Sequence, residues 1–265
     1  MKTFKEVIYI AAMLTICALL APESLAFSND TLHQTSPISA LMQGVFDGNT
    51  TFKELRAHGD LGLGTVQSLD GEMVELDGQF YQVKSDGIAY RLNGSTKTPF
   101  AEVTFFKIDE TVGLNGTYNL TQMEGYLDSK LDTTNIFYAI RIDGVLDYVK
   151  TRSVPIQSKP YPTLSEALEG QKIFEFHNVT GTIVGFRCPD YVNGINVPGY
   201  HMHFLTENKS SGGHLLDFEL KNAKIEVDNL YEFEMDLPNS DEFNKADLSG
   251  DQQDSLAEAE GNPKE

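Results

Sequence analysis

The chain has 265 residues, 40% hydrophobic, with ten Pro against 22 Gly and a formal net charge of −19. That is an ordinary globular composition with room for one large domain or two small ones. The acidity excludes a nucleic-acid partner, whose phosphates would be repelled, and disfavours an anionic membrane surface; a small anionic substrate is allowed where local cations outweigh the global field.

Residues 1–26 have the form of a cleaved export signal: Lys2 and Lys5, an apolar run from Val7 to Ala21, then the small-residue spacing of Ser24-Leu25-Ala26. The run is short for a membrane span of about 20 residues. Ile16 also stands where a lipoprotein signal ending at Cys17 needs a small residue. Cleavage removes two Lys and two Glu, so the charge stays at −19, and it leaves Cys188 as the single cysteine. No intramolecular disulfide is then available.

After the leader, Ser36-Pro37 predicts a helix start, with Ile38, Leu41, Met42 and Val45 at helical spacing until Asp47-Gly48. Thr51 and Glu54 form a capping box for a second short helix ending at His58-Gly59. From Gly62 to Phe106, short apolar runs are separated by Asp70-Gly71, Asp77-Gly78, Asp86-Gly87 and Asn93-Gly94, which predicts an antiparallel meander. A helix over Thr121–Leu131 is expected, capped by Thr121 and Glu124. Strand, turn and strand follow over Asn135–Ser153, with the turn at Asp143-Gly144. Pro155, Pro160 and Pro162 mark a domain boundary, and Thr163 to Glu166 opens one more helix.

Beyond it, Lys172–Asn178, Thr182–Arg187, Tyr200–Thr206, His214–Leu220 and Ala223–Asp228 predict the strands of a small barrel or sandwich. The tail is acidic, with Ser255–Glu260 helical. The expected fold class is therefore α+β and β-rich: an N-terminal mixed or antiparallel sheet with short helices over 27–156, joined to a smaller β-barrel-like domain over 157–265.

The chemistry concentrates at His201, His203 and His214. Two strand-like runs flank the polar turn from Glu207 to Gly213. His201 and His203 share a face by strand alternation, and a turn centred near Lys209 sets His203 opposite His214. Three imidazoles then converge on one point and suit Zn or another divalent transition metal, with a position left for water or substrate. His33, His58 and His177 are read as structural, and Cys188 as a buried small residue. Asn-x-Ser/Thr occurs seven times, at Asn29, Asn49, Asn93, Asn115, Asn119, Asn178 and Asn208; composition predicts about two by chance. On an exported, glycosylated chain these would be surface loops.

The order Gly62-Leu63-Gly64-Thr65, Leu69-Asp70-Gly71-Glu72, Asp77-Gly78-Gln79-Phe80, Thr98-Pro99-Phe100-Ala101, Gly199-Tyr200-His201-Met202-His203 and Gly212-Gly213-His214 resembles the α-acetolactate decarboxylase family. The resemblance spans roughly residues 30 to 262. It implies a metal, usually zinc, on His201, His203 and His214, catalytic roles for Glu72 and Arg152, and a positioning, substrate-binding contact at Thr65. A second glutamate near the C-terminus matches Glu260, with Glu258 as the alternative register. It also implies a homodimer and a small 2-hydroxy-3-oxo acid substrate, while signal cleavage leaves no membrane partner. Acetolactate would lose carbon dioxide to give acetoin through a metal-stabilised enediolate that a glutamic acid protonates. The same implication makes the chain a carboxy-lyase.

Two other readings stay open at this level. His201-Met202-His203 followed by Glu207 also resembles half of a cupin metal motif, implying a dioxygenase or isomerase. A metal closed by a fourth ligand, Glu207 or Cys188, would instead staple a secreted binding module without catalysis.

Overall fold

The structure, a computed structural model, describes residues 30–250 and 252–261; the expected signal peptide, Cys17 and Asn29 lie outside these residues. The described chain opens with β1 (Thr31–Thr35), α1 (Ile38–Met42), β2 (Thr50–Thr51) and α2 (Phe52–Leu55). α1 stops at Met42, short of the expected Val45. α2 carries the expected capping box, with Thr51 and Glu54 each satisfying the other's backbone N–H.

The meander follows as β3 (Leu61–Thr65), β4 (Glu72–Leu76), β5 (Gln79–Val83) and β6 (Ala89–Arg91), then β7 (Lys97–Thr98) and β8 (Ala101–Thr104). Gly71 and Gly78 take φ of 83° and 70° in its turns, a left-handed backbone that glycine adopts without steric cost. β3, β4, β5 and β6 pair antiparallel in succession, and β8 joins at the other side of β3.

The remaining elements are β9 (Glu110–Gly113), β10 (Thr117–Asn119), α3 (Leu120–Asp128), β11 (Phe137–Ser153), α4 (Leu164–Leu168), β12 (Lys172–Cys188), β13 (Gly199–Thr206), β14 (Gly212–Lys221), β15 (Lys224–Leu230), β16 (Glu232–Asp236), α5 (Asp241–Lys245) and α6 (Gln253–Ala259). One seven-stranded sheet runs β16-β1-β8-β3-β4-β5-β6. The other runs β10-β14-β13-β12-β11-β15-β9. In the second sheet β14 also pairs with β11, so β11, β12, β13 and β14 close on themselves as a barrel-like unit. The β-rich α+β class therefore holds.

Three local expectations are corrected. α3 is capped by Asn119 and Gln122, not by Thr121 and Glu124, because the chain already turns helical at Leu120. Asp143-Gly144 makes no turn: Asp143 accepts from Thr182 Oγ1 at 2.6 Å and Arg141 Nε at 2.6 Å, so its side chain braces the strand. β12 likewise runs unbroken through Gly181, where a Cβ would lie 2.4 Å from the Phe204 ring. Each of these strands is 17 residues long, and they pair at 15 positions.

The expected junction at 156–157 falls between β11 and β12 and so lies inside one sheet. β16 from the C-terminal half also pairs parallel with β1.

The sheets face each other across a shared apolar layer that includes Leu63, Val74 and Val83 from one and Val184, Phe186 and Leu205 from the other. Burial of this kind contributes roughly 25 cal/mol per Å² of apolar surface. A third cluster gathers Ile38, Leu41, Phe100, Leu164, Leu168, Leu256 and Ala259. It seats α1, α4 and α6 over one end of the inter-sheet space.

Candidate active site

Strand alternation aims the site residues into that space. On β13, Tyr200, Met202 and Phe204 pack into the core on the far side of the second sheet. Leu205 faces the first sheet, so His201 and His203 face it too. On β4, Val74 and Leu76 face the inter-sheet layer, and Glu72 shares their side. The two sheets thereby present imidazoles and a carboxyl group to one cavity.

Register supplies the third histidine and the arginine. β14 lies between β13 and β11, with His214 opposite His203 on one side and opposite Arg152 on the other. The turn between β13 and β14 is held by Thr206 Oγ1, which accepts from the N–H groups of Ser210 at 3.2 Å and Ser211 at 3.1 Å. Gly213 has a φ of 132°, and a Cβ there would lie 2.4 Å from the Arg152 carbonyl oxygen. Only glycine lets β14 approach β11 this closely, and that approach sets His214 beside Arg152.

The three imidazoles are buried, and their ring centroids stand 5.2 Å apart in every pair. One nitrogen from each lies within 4.8 Å of the others. His203 Nε2 and His214 Nδ1 are 3.3 Å apart, the separation of about 3.3 Å that two nitrogens take on a tetrahedral ion with bonds of about 2.0 Å. The outer nitrogens are tied down: His203 Nδ1 meets the Met73 carbonyl oxygen at 2.8 Å, and His201 Nδ1 meets Glu102 Oε1 at 3.2 Å. Such partners fix the tautomer and turn the other nitrogen inward. The donor set fits a divalent transition metal.

Electrostatics agree. Burial, with His201 nearby, holds the His203 pKa well below the usual imidazole value; burial and the Arg152 guanidinium do the same to His214. Both are held neutral, the form that ligates metal. For His201 burial acts against the charge, but Glu260, Glu102 and Glu72 together raise its pKa.

Two carboxyl groups flank the triad. Glu72 Oε2 is 3.7 Å from His203 Nε2, and Glu260 Oε2 is 3.6 Å from His201 Nε2 and 3.7 Å from His214 Nε2. Burial pushes the Glu72 pKa to about 7, with Arg152 opposing and Glu260 adding to the rise. Glu260 comes in at the end of α6, where its Oε2 is buried without a hydrogen-bond partner. Glu258 is exposed on the same segment, whereas Glu260 lines the cavity. Arg152 is 5% exposed, donates from Nη1 to the Ala259 carbonyl oxygen at 2.5 Å, and has a buried Nε without a partner. Thr65 sits opposite Glu72 in register and donates its hydroxyl to the Gly71 carbonyl oxygen at 2.7 Å, bracing the turn that delivers Glu72.

All eight of His201, His203, His214, Glu72, Arg152, Glu260, Thr65 and the apolar Phe100 line one cavity. Glu207 is exposed and lines a separate groove with Asp77 and Arg141, which removes the support for a cupin motif. Cys188 is buried 4.0 Å from Glu102 and does not line the cavity, so neither residue closes the triad as a fourth ligand.

Glu102 itself escaped the sequence reading. It is fully buried, and its Oε2 accepts from Asn196 Nδ2 at 2.7 Å, which also donates to Gln34 Oε1 at 2.8 Å. A Glu alternating with Ala101 and Val103 inside a strand was the available signal. His33 and His58 stack with centroids 3.7 Å apart beside Glu234; near-parallel rings at that spacing do not aim two in-plane lone pairs at one ion.

Fold and site together define a class: a two-sheet, β-rich protein enclosing an open trihistidine centre with a cation and two acids for a small anionic ligand. Residues 32–250 match the family model described as alpha-acetolactate decarboxylase. The chain is 49% identical over 241 residues to the alpha-acetolactate decarboxylase of Methanosarcina mazei, covering 91% of this chain and 84% of that one. It is 45% identical to that of Methylococcus capsulatus, over 89% of this chain and 91% of the relative. The crystal structure of the Bacillus subtilis strain 168 alpha-acetolactate decarboxylase superimposes with a TM-score of 0.85 at 39% identity, covering 88% of this chain and all of that one. The chain belongs to the alpha-acetolactate decarboxylase family, a family of carboxy-lyases.

Proposed function

We propose that this chain decarboxylates acetolactate to acetoin and carbon dioxide, using a divalent metal, zinc foremost, on His201, His203 and His214. What carries the reading is the meeting of three imidazoles, one guanidinium and two carboxyl groups in a single cavity of this family's fold. When bound, the ion supplies Lewis acidity toward the ketone and hydroxyl oxygens of the substrate.

The chain's own residues supply the rest. Arg152 binds and orients the substrate carboxylate with its planar guanidinium. Ile38, Leu41 and Leu69 wall the cavity, so the carboxylate is held away from bulk water while carbon dioxide leaves. The electron pair of the broken bond passes into the ketone as an enediolate. Glu72, protonated near neutral pH, returns a proton to the carbon that lost the carboxyl group. Glu260, reaching the triad from α6, holds the substrate hydroxyl and takes part in proton transfer on its own side. Thr65 keeps the Glu72 turn in place.

Export through the 1–26 leader and a homodimer belong to the same proposal. Among the described residues no helix is long and apolar enough to cross a membrane. The decisive experiment incubates the purified protein with racemic acetolactate and measures acetoin with and without chelator. Acetoin that stops with chelator and returns with zinc is expected; acetoin formation absent or indifferent to chelator overturns the reading.

A further inference from the structure

The seven Asn-x-Ser/Thr triplets have no role in the chemistry above. Their number exceeds the about two expected from composition, and the structure shows what distinguishes them. All six that fall on described residues, Asn49, Asn93, Asn115, Asn119, Asn178 and Asn208, are exposed. None lines the catalytic cavity.

Their amide groups are also used in a particular way. At Asn93 the side-chain oxygen accepts from the Ser95 N–H at 3.0 Å and the Ser95 hydroxyl at 3.1 Å. At Asn208 it accepts from the Ser210 N–H at 3.2 Å and the Ser210 hydroxyl at 2.7 Å. The third residue of the triplet thus holds the Asn oxygen and leaves Nδ2 pointing to water. At Asn119 the oxygen caps α3 by accepting from the Gln122 N–H at 2.9 Å. Among the described residues, none of the six Nδ2 atoms donates a hydrogen bond within the protein. The asparagines whose Nδ2 does donate, Asn196 to Glu102 and Gln34 and Asn229 to Glu110, lie outside any such triplet. A sugar on Asn196 would destroy the core; a sugar on any of the six projects into solvent.

We infer that the exported chain is N-glycosylated at these triplets, Asn93 and Asn208 foremost, by an oligosaccharide donated from a lipid phosphate carrier. The Nδ2 atom forms the new bond to the sugar's anomeric carbon, the bond from that carbon to the lipid phosphate oxygen breaks, and the Nδ2 proton leaves to the transferase. The inference rests on the export reading. It gives the chain sugars at exposed positions, mostly in turns and loops, none of which lines the cavity.

The test takes the protein from its own cells and determines its N-terminus and intact mass. A mature N-terminus after Ala26 with sugar masses on the chain is expected, together with conversion of the modified Asn residues to Asp by an amidase that releases N-glycans. Ser95→Ala and Ser210→Ala should each remove one glycan mass, with acetoin formation unchanged. A mature chain at its unmodified polypeptide mass overturns glycosylation and leaves export standing. A chain that keeps residues 1–26 and carries no sugar overturns both.

Discussion

His201 Nδ1 stands 3.2 Å from Oε1 of Glu102, and both side chains are buried. Glu102 is in turn held by Asn196, which is held by Gln34. A polar chain therefore runs from β1 to the trihistidine centre and fixes one imidazole in the orientation that offers Nε2 inward. Glu102→Gln keeps the shape and removes the charge. Loss of such an outer partner costs about 10- to 100-fold in metal affinity. Competition of the variant and the parent chain with a chromophoric chelator measures this directly; equal zinc affinities would remove Glu102 from the site.

Glu72 divides binding from proton transfer. Glu72→Gln should lower kcat by about 10²- to 10⁴-fold, the range for losing a general acid, while metal content stays at the parent level. Steady-state acetoin formation and metal analysis on the same sample separate the two. A variant that loses its metal instead would make Glu72 a ligand.

α6 sits over the cavity, and Leu256 is its largest buried apolar side chain. Leu256→Ala should cost about 2–5 kcal/mol of packing, concentrated on a terminal segment that opens locally. Limited proteolysis should then cut near residue 250 faster, and acetoin formation should fall because Glu260 leaves the site with the helix. Unchanged proteolysis with full activity would show that α6 is anchored elsewhere.

Asp228 predicts a pH dependence of stability away from the centre. Burial pushes its pKa from 3.8 to about 7; the Lys107 backbone N–H opposes the rise, and Asp109 and Asp30 add to it. A raised acid pKa means that the folded state holds the proton more tightly. The contribution is fully present below about pH 4 and is lost as pH rises through about 7. Asp228→Asn should therefore gain stability relative to the parent as pH increases across that window. Urea unfolding at pH 4.5 and pH 8 tests it, and an equal difference between the two chains at both values would refute the assignment.

Local signals were legible wherever a short segment decides its own conformation. The capping boxes at Thr51 and Thr163, the Asp-Gly turns of the meander and the His203–His214 register all follow from turn chemistry and strand alternation within about twenty residues. Three histidines on one face of a hairpin needed nothing further. The motif order carried the family.

Tertiary structure decided what depends on partners distant in sequence. Asp143-Gly144 reads as a turn, yet it lies inside a 17-residue strand because β12 offers a registered partner on the other side of the chain. Glu102 reads as an ordinary strand carboxylate until β8 packs against β13 and sets it beside His201. Arg152 reaches the cavity because Gly213 admits β14 against β11, and Glu260, just past α6, lines the cavity while Glu258 is exposed. Hairpin geometry is a property of neighbouring residues. Burial and register between distant strands are not, and these convert three histidines into an enclosed site.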